Sequence, residues 1–416
     1  MSPVVPAEQI QDAHLRYRDR RPKSAAADTR ARKVLPGGNT RSVLDFAPFP
    51  FRVERAEGAQ LVDIDGHRYV DFCGNYTAGL LGHSPAPVKN AIVEALEGGW
   101  ALGATHEREA ELAELVCARF PAINKVRFTN SGTEANLMAI GTALHHTGRT
   151  AVGVFERAYH GGVLSFADHA AGPHHPLNVP YPFTVAPFND IAGLDDLFEH
   201  ELGCVVVEAV QGSGGCRPAE PAFLEALRER CTQTGTALIF DEVMTSRLAP
   251  GGAQELFGIQ PDLCTLGKYL GGGMTFGAFG GSETFMAEFA RAQGGTLTQA
   301  GTFNNNVVSM AAAIATFKTE LSRERITEVN QRGERLRSSL NEVFNTSPHP
   351  MWITGLGSML CFHSDHDELM ELLFHRLLDE GLYVARRGFM ALSMAITEDH
   401  CSRLVEATSA WAHQVR

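Results

Sequence analysis

Ala237-Leu238-Ile239-Phe240-Asp241-Glu242-Val243 is the stretch that decides the fold class. Four apolar residues run straight into two carboxylates. A short apolar run of this kind reads as a strand buried on both faces. A second run, Cys204-Val205-Val206-Val207-Glu208, precedes it, and residues 221 to 233 between them carry a helical pattern. Strand, helix and strand at this spacing predict a parallel pair joined by a right-handed crossover. Working outward, residues 150 to 155 and Lys125-Val126-Arg127-Phe128-Thr129 read as further strands, and Ser131-Gly132-Thr133-Glu134 opens an Ala-rich helix. The expected architecture is α/β, a three-layer, doubly wound, mostly parallel sheet. Ligands bind such sheets at the carboxyl ends of the strands, and Asp241 stands at one of those ends.

Outside this block the pattern changes. Gln60-Leu61-Val62-Asp63-Ile64 and Arg68-Tyr69-Val70-Asp71-Phe72 alternate around an Asp65-Gly66 turn signal, which predicts a hairpin. Residues 308 to 320, 323 to 345, 366 to 381 and 397 to 415 read as helices of a smaller α+β domain. The expected divisions are 1–70 (N-terminal arm and part of the small domain), 71–305 (large domain) and 306–416 (C-terminal small domain).

Composition narrows the function classes. The 416 residues are 44% hydrophobic and 20% charged, which excludes disordered and fibrous readings. A net charge of −12 makes nucleic acid an unexpected partner. No apolar stretch approaches the roughly 20 residues a membrane span needs. The segment before Lys33 is rich in arginine but lacks a hydrophobic core and contains Glu8, Asp12, Asp19 and Asp28, so neither a secretory signal nor a transit peptide is expected. It reads as a solvated helix or an arm packed on a partner subunit. The 8 cysteines form no CxxC pair, which favours buried thiols and a cytoplasmic location. His145-His146 and His174-His175 are adjacent pairs that cannot converge on a helix face, and no metal site is expected.

Two residues carry the strongest chemical signal. Asp241 ends a buried strand, and Lys268 follows another short apolar run and precedes Gly271-Gly272-Gly273. A lysine in an apolar, glycine-rich loop suits Schiff-base chemistry with an aldehyde. Pyridoxal phosphate needs such a lysine and a carboxylate partner for its pyridine nitrogen. The pair alone leaves a second reading open, in which Lys268 snorkels to solvent and Asp241 caps a helix. Ser131-Gly132-Thr133 offers backbone N–H groups at a helix start, which suits a phosphate or a routine N-cap. Tyr159-His160-Gly161-Gly162 follows the strand ending at Phe155, where an aromatic can stack on a planar ring or simply pack in a loop.

Taken in order, Asn130-Ser131-Gly132-Thr133-Glu134-Ala135, Tyr159-His160-Gly161, Phe240-Asp241-Glu242-Val243-Met244-Thr245, Leu266-Gly267-Lys268-Tyr269-Leu270-Gly271-Gly272-Gly273 and Gly301-Thr302-Phe303 resemble the class III (fold-type I) pyridoxal-phosphate aminotransferases. The resemblance runs from about residue 30 to 395. It is strongest to the branch holding the glutamate-1-semialdehyde aminomutases and the β-phenylalanine aminotransferases. It implies a smaller domain built from both chain ends and a role for each motif residue. Lys268 would bond the cofactor aldehyde and shuttle the proton. Asp241 would keep the pyridine nitrogen protonated. Val243 or Met244 would pack on one ring face and Tyr159, followed by His160, on the other. Ser131, Gly132 and Thr133 would hold the phosphate, joined by Thr302 of a neighbouring subunit, so a homodimer with shared active sites is implied. Glu208 would lie near Asp241.

Substrate recognition follows from charge. Amino and keto acids carry carboxylates, and arginine is their bidentate partner. Arg41 in Pro36-Gly37-Gly38-Asn39-Thr40-Arg41-Ser42 and Arg387 in Ala385-Arg386-Arg387-Gly388-Phe389 are the candidates, with Arg386 competing with Arg387. Tyr76 and Trp100 are candidate pocket walls or packing residues. The first of these segments, with Ala47-Pro48-Phe49-Pro50, resembles the β-amino-acid members. One departure matters. Relatives acting on γ- or δ-amino acids often have Glu-Pro-x-Gln-Gly-Glu, whereas this chain has Glu208-Ala209-Val210-Gln211-Gly212-Ser213, and Ser213 cannot pair with an arginine. The expected activity is transfer of an amino group from a β-amino acid, including aromatic ones, to 2-oxoglutarate or pyruvate. A glutamate-1-semialdehyde-type 2,1-aminomutase is the alternative. A racemase or decarboxylase on the same fold, or a silent scaffold, would keep the fold but not this outcome.

Overall fold

The computed structural model describes residues 7–166 and 175–414. Of the features discussed above, Met1 to Pro6, His174 and residue 415 lie outside the described residues. The chain divides into two compact units, one from Ala86 to Glu328 and one from the segments up to Pro85 and from Val329. Each is described by itself.

The larger unit is built on a seven-stranded sheet. Its strands are β1 (Lys125–Thr129), β2 (Ala151–Phe155), β3 (Phe183–Ala186), β4 (Leu202–Val207), β5 (Ala237–Asp241), β6 (Leu263–Gly267) and β7 (Gly277–Gly281). Their order is β1-β7-β6-β5-β4-β2-β3. Only β7 runs against the rest, pairing antiparallel with both β6 and β1. The deciding stretch is therefore the central strand β5, in parallel register with β4 (Phe240 opposite Val207) and β6 (Asp241 opposite Thr265).

Its sequence explains that position. Side chains alternate between faces along a strand. Leu238 and Phe240 point into one core with Val205, Val207, Phe223, Leu224 and Leu227. Ala237 and Ile239 point into the other with Cys204, Val206, Ala135, Ala139 and Ala143. A strand covered on both sides has no polar face to show, hence the unbroken apolar run. Helix α1 (Gly132–Thr147) supplies the second cover, and its alanines let it approach the sheet closely. Helix α2 (Pro221–Thr234) supplies the first, opened by Pro221 and closed by left-handed Gly235.

In the smaller unit, the segment Leu382–Tyr383 pairs in parallel with Val70 and Asp71, so both chain ends contribute to one four-stranded sheet. The hairpin over 60–72 forms, with Gln60–Asp63 and Arg68–Asp71 antiparallel and Gly66 at φ 95°. The arginine-rich start forms the helix Ala7–Arg20, whose Arg16, Arg18 and Arg20 are exposed to solvent, and Arg21 just after it is the exception. Arg21 is wholly buried within its own unit, donating from Nε and Nη2 to the Tyr69 hydroxyl at 2.9 and 2.8 Å. Tyr69 in turn donates to Asp63 at 2.8 Å. A buried guanidinium is tolerated because this relay and the Tyr17 ring, 4.1 Å away, satisfy it.

The units divide after Pro85 and after Glu328, against expected divisions at 70 and 305. The later boundary has a packing cause. The helix Val307–Ala315 buries Val307 and Ala311 against Ala95 of the helix Ala86–Glu97, which keeps it with the larger unit. Among the described residues no helix is long and apolar enough to cross a membrane.

Candidate active site

The carboxyl ends of β1, β2, β4, β5 and β6 bring together the segments that carry Ser131–Thr133, Tyr159–His160, Glu208, Asp241–Met244 and Gly267. Asp241 ends β5 and is 4% exposed. Its Oδ2 accepts from Asn136 Nδ2 and from His160 Nδ1, each at 2.8 Å. Its Oδ1 accepts from the Val243 N–H at 3.0 Å. Burial pulls the His160 imidazole down, but its hydrogen bond to Asp241 and the charges of Asp241 and Glu208 more than reverse this, so it titrates above the ordinary histidine range. Glu208 accepts from the N–H groups of Tyr159 (3.0 Å) and Gly212 (3.1 Å), which ties the aromatic turn to β4. Burial pushes its carboxyl up to about 7.

Four glycines show how close these segments lie. A methyl on Gly132 would stand 2.7 Å from Val243 Cγ2. A methyl on Gly267 would stand 3.2 Å from Val243 Cγ1 and 3.5 Å from the Gly132 nitrogen. One on Gly161 would collide with Thr133, and one on Gly212 with the Met244 side chain. Thus the start of α1, the Tyr159–Gly161 turn, Val243–Met244 and the residue before Lys268 form one cradle with no room for extra carbon. Lys268 itself is half-buried and holds a left-handed φ of 55°, a conformation costing about 1–3 kcal/mol in a non-glycine residue and concentrated at functional sites.

The start of α1 could hold an anion. Ser131 caps it, its hydroxyl accepting from the Glu134 N–H at 3.2 Å. Glu134 reaches back to the Asn130 N–H at 2.8 Å. This leaves the N–H groups of Gly132 and Thr133 at the positive end of the helix dipole, where no intrahelical acceptor exists. The donor set therefore fits pyridoxal phosphate: an amine on a strained turn, a hydrogen-bonded carboxylate, an anion-binding helix start, and Val243 and the 41%-exposed Tyr159 as candidate walls.

Other expected residues sit elsewhere. Thr302 lies in an exposed turn whose Asn304 accepts from Asn130 Nδ2 at 3.0 Å. Trp100 is 54% exposed on the larger unit. In the smaller unit, Arg41 and Arg387 lie beside the Tyr76 ring, 5.7 and 5.3 Å from its centroid. Tyr76 stacks on Phe389 and donates to the Val43 carbonyl at 2.9 Å. Its backbone belongs to a left-handed turn, Gly74 to Thr77, with φ of 52, 46, 52 and 76°. Asn75 in this turn accepts from Arg41 Nη1 at 2.7 Å. Arg386 differs from Arg387: its Nε donates to Glu371 at 2.6 Å, in a cluster with His14 and His375.

Sequence reasoning missed Asn136, Thr265 and Asn75. An asparagine inside an Ala-rich helix is the one available signal, because asparagine is a weak helix former and needs another reason to be there.

The fold and this constellation define a PLP-dependent enzyme of the class III aminotransferases, and the chain belongs to that family. The Aminotransferase class-III family matches residues 45–410. The chain is 45% identical over 416 residues to the β-phenylalanine transaminase of Variovorax paradoxus, covering 96% of this chain and 95% of that protein. The crystal structure of a β-phenylalanine aminotransferase from that organism superposes with a TM-score of 0.94 over 97% of this chain and 96% of its own. A transaminase solved with PLP bound has a TM-score of 0.89 at 32% identity, covering 95% of this chain and 98% of that one. The glutamate-1-semialdehyde 2,1-aminomutase of Methanopyrus kandleri is 40% identical, covering 94% of this chain and 97% of its own.

Proposed function

We propose that this aminotransferase takes its amino group from a β-amino acid, with an aromatic β-substituent among those accepted, and passes it to a keto acid such as 2-oxoglutarate or pyruvate. The observation that carries this reading is the pairing of Arg41 and Arg387 on one tyrosine ring, together with the 45% identity to a β-phenylalanine transaminase. Guanidinium groups bind carboxylates in two parallel hydrogen bonds, and an aromatic wall suits an aryl substituent. Arg387 is preferred to Arg386, because it shares the Tyr76 ring with Arg41, whereas Arg386 lies against Glu371.

When bound, the cofactor supplies an electron sink that stabilises negative charge at the substrate carbon. The residues supply the rest. Lys268 would hold the aldehyde and move the proton at the reacting carbon. Asp241 partners the ring nitrogen, and the N–H groups of Gly132 and Thr133, with the Ser131 and Thr133 hydroxyls, hold the phosphate. Thr302 would add its hydroxyl to the phosphate held by a second copy, which would make the enzyme a homodimer with shared sites. Exposed Phe303 (62%) and Leu102 (43%) support such an interface. Eight free cysteines, seven of them buried, support a cytoplasmic location.

The 40% identity to an aminomutase favours one second reading, intramolecular transfer. An amino-donor panel separates the two. Deamination of a β-amino acid only when a keto acid is added supports the transaminase. Turnover of a single substrate without acceptor supports the mutase.

A further inference from the structure

We propose that Asn136, oriented by Thr265, is the positioning residue that sets the carboxylate of Asp241 and the His160 turn in place. The proposal rests on the reading of Asp241 as the cofactor's partner. Asn136 is 1% exposed and Thr265 is fully buried. The Asn136 amide meets three groups. Nδ2 donates to Asp241 Oδ2 at 2.8 Å and to the His160 carbonyl at 2.9 Å, while Oδ1 accepts from the Thr265 hydroxyl at 2.7 Å.

Chemistry allows this amide one orientation. Two of its neighbours are pure acceptors, so they must face the NH₂ group. Reversal would set the amide oxygen against a carboxylate and a carbonyl inside a dry core. Thr265 has a single proton to give. It is 2.7 Å from Asn136 Oδ1 and 3.5 Å from Asp241 Oδ1, so the amide takes it. The hydroxyl thereby locks the amide, and the amide locks Asp241.

The same contact spans four parts of the unit. Asn136 is on α1, one turn past the phosphate-facing start. His160 belongs to the aromatic turn, Asp241 ends β5, and Thr265 lies on β6 three residues before Lys268, directly opposite Asp241. Without Asn136, the close donors left to Asp241 among the described residues would be His160 and the Val243 N–H, with the Thr265 hydroxyl 3.5 Å from Oδ1, and its Oδ2 could swing about them.

The test uses cofactor-loaded enzyme. Asn136→Ala, Thr265→Val, Thr265→Ser and Asp241→Asn are compared for cofactor dissociation constant, pH midpoint of the visible absorbance, kcat and KM, with melting temperature as the folding control. Loss of a hydrogen bond to a charged group should raise the cofactor dissociation constant about tenfold in Asn136→Ala. The same variant should move the pH midpoint by about half a unit and lower kcat about tenfold, with donor KM changed less than about twofold. Thr265→Val should follow in the same direction with a smaller effect, and Thr265→Ser should recover most of the loss. Thr265→Val carries the test if Asn136→Ala does not fold. Variants that melt earlier yet match wild type in absorbance, midpoint and cofactor affinity, while Asp241→Asn changes all three, would overturn the clamp. An Asp241→Asn variant that leaves the absorbance unchanged would overturn the reading of Asp241 itself.

Discussion

Arg41 makes the account quantitative at the scale of one residue. Its guanidinium is exposed, positioned by Asn75 and by the Tyr76 ring, and has no buried structural duty. Arg41→Ala should therefore leave melting unchanged and raise KM for a carboxylate substrate by roughly 10- to 100-fold, the value of a charge-assisted bidentate pair. Arg41→Lys should recover little of this, since an ammonium cannot reproduce the planar fork. Steady-state kinetics with the amino donor, with the melting temperature alongside, check both. The candidate reactive residues stand out because their setting is unusual in sequence: Lys268 in a glycine-rich apolar loop, Asp241 at the end of an unbroken apolar strand. Asn136 and Thr265 do not. A buried polar residue owes its role to neighbours far away in the chain, and the partners of Asn136 lie at 160, 241 and 265. Arg386 and Arg387 could not be separated by pattern either, because only packing shows that Glu371 holds the first.

At the scale of elements, the start of α1 is the most exacting piece. Gly132 faces Val243 so closely that an added methyl would stand 2.7 Å from it. Gly132→Ala should push Val243 or the helix start aside, at about 1–3 kcal/mol of overpacking strain. Equilibrium dialysis should show cofactor affinity falling about tenfold or more, because the displaced N–H groups are those offered to the phosphate. Unchanged affinity would mean that the phosphate is held elsewhere. The strands of the sheet were readable because burial on both faces removes polar residues from them. The division of the chain was not, since a helix such as Val307–Ala315 looks alike whichever unit it packs on, and Ala95 decides the matter.

For the molecule as a whole, burial of carboxyl groups sets how stability depends on pH. Glu242 is fully buried, and although the Ala253 and Gln254 N–H groups donate to it at 2.7 and 3.0 Å, burial pushes it up to about 7. A group raised on folding binds its proton more tightly in the folded state. Its contribution is complete below the ordinary carboxyl range near 4.5 and is lost as pH rises through about 7. Glu208 is shifted in the same direction. Melting temperature should thus fall between pH 5 and 8, and fall less steeply in Glu242→Gln. Equal slopes would show that Glu242 already ionises normally in the folded chain.

Intermolecular transfer from a β-amino acid can be read in a single assay. Purified, cofactor-loaded enzyme is mixed with β-phenylalanine, with and without 2-oxoglutarate or pyruvate, and the new amino acid is quantified. The transaminase should form product continuously only when the keto acid is present, consume at most one equivalent of donor per active site without it, and show no turnover in Lys268→Ala. Sustained turnover without an acceptor, or no reaction of any β-amino acid alongside isomerisation of an amino aldehyde, would contradict the transaminase reading.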